Sequence, residues 1–242
     1  MNHSKCLFLF ALLTLVVHIP ARSNELELRQ DGPAHTISVF RKGAKESILT
    51  QVARPDFRPY LHPIVAPDGK GLLTEYSPGH HKHQTGLYWG FTRVNGRDYF
   101  HHPGGDYWRR VSAKVLKKDG PSVKWQTMYE MLDAEGEAQM VESQVWGMEV
   151  KDGEYVLDLE WSALAKKDIT IGKYNYGGLF LRMPWKRGID GRVFNSSRQA
   201  NGRAEGQRSV WVDVGMKVAG RDDRAHIAIF DHPRNPGFPT AW

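Results

Sequence analysis

The sequence predicts an all-β fold, an antiparallel β-sandwich with long loops, and three observations predict it. Apolar and polar side chains alternate with a period of two along several stretches, turn dipeptides separate those stretches at short intervals, and no long segment keeps a helical period. Many short strands with regular turn signals favour a sandwich or barrel over an α/β fold.

The chain begins with a short polar and basic start ending at Lys5. An apolar run from Cys6 to Val17 follows, then the small residues Ala21 and Ser23 before Asn24. These are the parts of a secretory signal peptide, so residues 1–23 are expected to be cleaved after Ser23 and the mature protein to be secreted or periplasmic. The apolar run is shorter than the roughly 20 residues of a spanning helix, and no later segment approaches that length, so no membrane anchor is expected. Cys6 is the single cysteine, at the start of the run and not after it where a lipid-bearing cysteine would stand. Residues 24–242 are therefore expected to form one domain without disulfides or a thiol nucleophile, held by core burial. Lys5 and Arg22 leave with the leader and no acid does, which lowers the formal net charge from +6 to +4. So mild a charge, with bases scattered among acids, argues against a nucleic-acid partner.

Val123, Trp125, Thr127, Tyr129 and Met131 alternate with Lys124, Gln126 and Glu130, the pattern of a strand with one buried face. Tyr155, Leu157, Leu159 and Trp161 repeat it within 154–162, and a weaker alternation runs through 209–218 around Trp211 and Asp213. Asn95-Gly96, Gly120-Pro121, Glu135-Gly136 and Asp152-Gly153 separate the runs. Asn-Gly and Asp-Gly accept the positive φ angles of tight hairpins, so neighbouring strands should pair antiparallel. Stretches 63–82 and 187–207, rich in Gly, Pro, Asn or Ser, are predicted as long loops, the usual carriers of functional groups on a β scaffold.

Six of the nine histidines beyond the leader fall between positions 62 and 102: His62, His80, His81, His83, His101 and His102. Imidazole exchanges protons near neutral pH and binds metal ions, so the concentration points to an acid–base site or a divalent-metal site. Hydrogen bonding to loop backbone beside Pro and Gly is the plainer account of the same pattern. In an extended 80–83 segment His81 and His83 share a side, which makes them candidates for proton transfer or metal ligation. His62, Glu75, Asp231 and His232 are candidate companions, and no HExxH or paired-cysteine motif identifies a metal. Arg58, Tyr60, Tyr88, Trp89, Tyr107, Trp108 and Arg109 accompany the cluster. Aromatic faces stack on the C–H groups of a sugar while Arg and His bind its hydroxyls, although Trp89 and Trp108 also suit a β core. Among carboxylates, Glu75 lies in the first long loop, Asp98 and Asp106 flank His101-His102, and Asp231 precedes His232. A glycosidase needs two of them across the bond it cleaves, and Asp98 equally fits a turn after Asn95-Gly96.

Arg58-Pro59-Tyr60-Leu61-His62-Pro63, His80-His81-Lys82-His83-Gln84-Thr85-Gly86-Leu87-Tyr88-Trp89 and Val94-Asn95-Gly96-Arg97-Asp98 resemble the domain of unknown function labelled "methane oxygenase PmoA". So do Gly177-Gly178-Leu179, Trp211-Val212-Asp213 and Ile229-Phe230-Asp231-His232-Pro233 with Asn235-Pro236, which together span most of residues 24–242. Relatives of this kind read Asp-His-Pro-His-His-Arg-Gly-Leu-Trp in the central string, where this chain carries Gly79 and Lys82 in place of parts of it. They usually continue past the Asp-His-Pro segment, so a chain ending at Trp242 is expected to lack a C-terminal piece. A true particulate methane monooxygenase subunit is an integral membrane protein, unlike this pattern. The resemblance implies a secreted bacterial β-sandwich associated with sugar degradation, with a likeness to the large sandwich of the galactose-mutarotase type.

The resulting expectation is an exported carbohydrate-active enzyme that acts on a glycoside or modified sugar by His and carboxylate acid–base chemistry. His81, His83, Glu75 and Asp231 would carry the chemistry, and Arg58, Tyr60, His62, Trp89 and His232 would hold the ligand. A non-catalytic carbohydrate-binding module and a metal-dependent oxygenase, as the label says, are the alternatives.

Overall fold

The computed structural model describes residues 24–79 and 81–242. The leader read in residues 1–23, and His80, lie outside the described residues. Fourteen strands are described: β1 Leu26–Asp31, β2 Thr36–Arg41, β3 Ser47–Val52, β4 Tyr60–Ile64, β5 Leu87–Gly90, β6 Trp108–Lys117 and β7 Asp119–Gly120, then β8 Ser122–Leu132, β9 Ala138–Lys151, β10 Glu154–Ala165, β11 Gly178–Leu181, β12 Gly191–Asn195, β13 Trp211–Lys217 and β14 Arg224–Phe230. One 3-10 turn, Asn201–Arg203, is the only helical piece among the described residues.

The strands form three sheets, ordered β11-β5-β4-β3-β2-β1-β7, β10-β9-β8-β6 and β12-β13-β14, and each pairing is antiparallel. The alternating side chains of β8 are the reason for the layering, since Val123, Trp125, Thr127, Tyr129 and Met131 are all buried while Lys124 is exposed. Leu26, Leu28, Ile37, Val39, Leu49, Leu61 and Leu87 from the large sheet meet Trp125, Trp146 and Met148 from the second, and Met216 and Ala225 from the third, in one core. Burying that row on both sides is what makes this an all-β sandwich. Asp152 and Gly153 turn β9 into β10 with φ of 51° and 85°, as the hairpin signal predicts.

The stretch 187–207 is not wholly loop, because it contains β12. Val193 and Phe194 are the only large apolar residues of that strand, and pairing on one side alone leaves it too little buried surface to show an alternation. The stretch 63–82 starts inside β4 and is otherwise irregular. In β13 it is Val212 and Met216 that are buried, so Trp211 and Asp213 lie on the outward face.

One property of the large sheet positions the site. Leu61, Leu87 and Leu181 are paired neighbours on the core side. Alternation therefore sends their companions Tyr60, Tyr88 and Phe180, also paired neighbours, to the opposite face. There Tyr60, Tyr88 and Phe100 form a separate aromatic cluster with Phe57 and Phe180 against it.

Candidate functional site

Arg58 anchors this outer face from below. It is fully buried, its guanidinium lies 3.8 Å over the Tyr88 ring, and Nη1 donates to the carbonyls of Tyr99 (3.2 Å) and Phe100 (2.8 Å). Nη2 donates to the carbonyl of His83 (2.6 Å) and to Thr85 Oγ1 (3.3 Å). Burial lowers its pKa to about 10, which leaves it charged at neutral pH. One side chain thus ties together the two segments that carry His83 and His101. Sequence reading gave Arg58 a role in substrate contact; the structure places it under the site.

Above this anchor Phe100 packs on Phe180 (4.3 Å between ring centres) and presents its neighbours to the surface. The His83 ring lies 4.8 Å from Phe100 and 4.7 Å from the His101 ring, and His81 lies 6.1 Å from His83. His101 Nδ1 is 2.6 Å from Asp98 Oδ2. Burial would push Asp98 up, but hydrogen bonds from the backbone and ring of His101, with that from the Phe100 backbone, outweigh it and hold the carboxyl below its usual range. An ionised carboxylate only accepts, so Nδ1 carries the proton and Nε2 is left as the basic nitrogen. Tyr176 Oη stands 3.4 Å from that Nε2. Its interaction with Tyr174, and then partial burial, push the Tyr176 hydroxyl up to about 12, so it stays protonated. His83 is driven the other way, lowered to about 4 by burial first and then by the neighbouring His101 ring and the Arg58 charge, so it is neutral near pH 7.

A second group lies beside the first. His62 Nδ1 is 3.0 Å from Thr74 Oγ1, and its ring is 5.9 Å from that of Tyr76, which itself lies 5.5 Å from Tyr60. Glu75 Oε2 accepts from both Nε and Nη2 of Arg182 at 3.1 Å, and Arg182 Nη1 donates to Gln84 Oε1 at 3.1 Å. Burial lowers the pKa of His62 while the Glu75 charge opposes it. Gly86 permits this arrangement: its φ is +84°, and a Cβ there would fall 2.3 Å from the Leu61 carbonyl and 3.0 Å from His62 Cβ.

Of the residues singled out in sequence, His62, Tyr60, Glu75, His81 and His83 thus gather on one face. Trp89 does not join them: it is on the opposite side of β5 from Tyr88, stacked on Trp161 of β10 at 4.5 Å. Asp231 and His232 follow β14 on the three-stranded sheet. Asp231 accepts from Asn235 Nδ2 and the Thr240 backbone, both at 2.8 Å, and His232 Nδ1 accepts from the Arg234 backbone at 3.2 Å, all within the segment 231–240. Tyr176, Tyr174 and Phe180 escaped sequence reading because they reach the site only through the pairing of β11 with β5. The available signal was Tyr174 and Tyr176 just ahead of Gly177-Gly178. Glu142 was missed too. It is wholly buried between the sheets, accepting from Trp161 Nε1 and Gln144 Nε2 at 3.0 Å, and burial pushes it up to about 7.

Among the described residues no three His, Cys, Asp or Glu side chains converge as a metal-binding group. No helix among the described residues is long and apolar enough to cross a membrane.

A family model described as "Family of unknown function (DUF6807)" matches residues 46–242. No curated protein and no solved structure matches the chain.

Proposed function

We propose, for a chain that belongs to the DUF6807 family of unknown function, an exported carbohydrate-active enzyme whose chemistry is carried by His101, Asp98, Tyr176 and His83. The observation that supports this most is the series Asp98–His101–Tyr176, in which a carboxylate fixes the imidazole tautomer and a protonated phenol faces the free nitrogen. His101 Nε2 takes a proton from the bound sugar or modified sugar, Asp98 stabilises the imidazolium, and the Tyr176 hydroxyl donates to a substrate oxygen before recovering its proton from His101. Neutral His83 offers a hydrogen bond beside them, and the exposed Tyr174 and Tyr176 supply faces for the C–H groups of a ring, backed by the buried Phe100. Export rests on the leader read in residues 1–23, and kinship with the domain labelled "methane oxygenase PmoA" rests on the strings quoted above.

His101→Ala and Tyr176→Phe are each expected to lower kcat/KM about 10²- to 10⁴-fold, the usual size for loss of an acid–base group, with an unchanged melting temperature. Product analysis and calorimetry across a panel of sugars and glycosides check it. Full turnover by both variants refutes the assignment. Binding without conversion by the parent protein turns the reading to a carbohydrate-binding module, a reading favoured by the exposed Tyr76, Tyr174 and Tyr176.

A further inference from the structure

Two imidazole–tyrosine pairs stand on the outer face of the large sheet, and they are built differently. At one end His101 and Tyr176 have ring centres 6.2 Å apart, beside the Asp98 carboxylate. At the other His62 and Tyr76 are 5.9 Å apart, beside a closed Glu75–Arg182–Gln84 group. Tyr76 and Tyr176 are 42% and 44% exposed, far more than the residues between them. Between them runs an aromatic floor: Tyr76 against Tyr60 at 5.5 Å, Tyr60 paired across strands with Tyr88, Tyr88 stacked on Phe180 at 5.3 Å, and Phe180 6.1 Å from Tyr176. Tyr60 and Phe180 are two strand steps apart, roughly 10 Å. That is more than a single pyranose ring spans.

From this we infer that the face binds an oligosaccharide of at least two units, with proton transfer at the His101 end and recognition alone at the His62 end. The inference rests on the proposed carbohydrate reading and adds the length of the substrate. The chemistry of the His62 end is that of a holder. Thr74 Oγ1 accepts the Ile64 N–H (3.1 Å) and holds the His62 ring through Nδ1 at 3.0 Å, leaving Nε2 to hydrogen-bond a sugar oxygen. Glu75 is already engaged twice by Arg182, so it orients hydroxyls and has no role as a free base. Tyr76 supplies the stacking face for the second ring.

Calorimetry with mono-, di- and trisaccharides of glucose, galactose, mannose and xylose tests it, followed by the same titrations on Tyr76→Ala. Within whichever series binds, the disaccharide is expected to bind at least tenfold more tightly than the monosaccharide, and Tyr76→Ala is expected to reduce that ratio to near one. Equal affinity for one and two units, or an unchanged ratio in Tyr76→Ala, overturns the two-unit inference and leaves the carbohydrate reading standing. Binding of no member of any series overturns both. Tyr76 is a surface side chain, so the variant keeps its fold, which circular dichroism verifies.

Discussion

Arg58 sets the geometry of the candidate site from beneath it. Its guanidinium satisfies three carbonyls and one hydroxyl, and its flat face covers Tyr88. Removing it leaves those buried carbonyls unpaired, and each orphaned group costs on the order of 1–3 kcal/mol. Arg58→Met, which keeps the volume and loses the donors, is therefore expected to destabilise the protein by about 3 kcal/mol, read from the denaturant midpoint. Activity should fall with it, because the His83 and Phe100 backbones lose their common tie. At the same scale, the histidine concentration between positions 62 and 102 was legible in sequence, while the contacts each ring makes were not. His81 and His83 stood out by alternation along a presumed strand, yet it is the contact of Asp98 with His101 that gives a defined basic nitrogen. Asp98 had two readings in sequence, a carboxylate of the site and a turn residue, and it is both, since Oδ1 accepts from the Phe100 and His101 backbones while Oδ2 holds the ring.

At the scale of elements, strand β8 and the hairpin of β9 and β10 follow their sequence patterns closely, because each has one face in the core and a turn that requires positive φ. Strands β4, β5 and β11 carry the site and are only 5, 4 and 4 residues long. Runs so short have too few alternations to be read from sequence, and both faces of β5 are covered, which removes the alternation altogether. Gly86 is where these strands meet. Its backbone is left-handed and the Leu61 carbonyl occupies the place of a Cβ, so Gly86→Ala meets both a conformational penalty and a backbone clash. A loss of roughly 3 kcal/mol is expected, a drop of about 6–12 °C in Tm for a chain of this size. A variant that melts like the parent would show that β4 and β5 do not depend on this close approach.

For the molecule as a whole, the notable feature is a polar row inside an otherwise apolar sandwich. Gln51 bridges the two larger sheets by accepting from Trp125 Nε1 (3.2 Å) and donating to the Tyr60 carbonyl (3.1 Å), and Glu142 and Gln144 continue the row. Burial pushes Glu142 up to about 7, against the opposing pull of its hydrogen bonds from Trp161 and Gln144. An unfolded glutamate ionises near 4.3, and below that pH both states are protonated and stability is intact. Between about 4.3 and 7 the unfolded chain releases a proton that the folded chain retains, so stability falls as pH rises and then levels off. The effect reaches up to about 4 kcal/mol. His83 slopes the opposite way over an overlapping range: its folded pKa is depressed, so stability is lost as pH falls below about 6.5. Comparing Glu142→Gln with the parent isolates the carboxyl: the two opposing slopes largely cancel in the parent, so the variant, which keeps only that of His83, is expected to gain a larger rise in denaturant midpoint from pH 4 to pH 8 than the parent shows. An identical profile in both proteins would place the Glu142 proton elsewhere.

Local alternation and turn chemistry determined the fold class, since a period of two and an Asn-Gly or Asp-Gly pair act within a few residues of themselves. Composition and spacing also located the histidine-rich segment and its aromatic company. Only the tertiary structure decided which of those residues meet. The pairing β11-β5-β4 brings Phe180 and Tyr176 to His101, sends Trp89 through to the other face, and leaves Asp231 and His232 to their own segment. Those outcomes depend on register between strands far apart in the chain, and a shift of one residue exchanges the two faces of a strand.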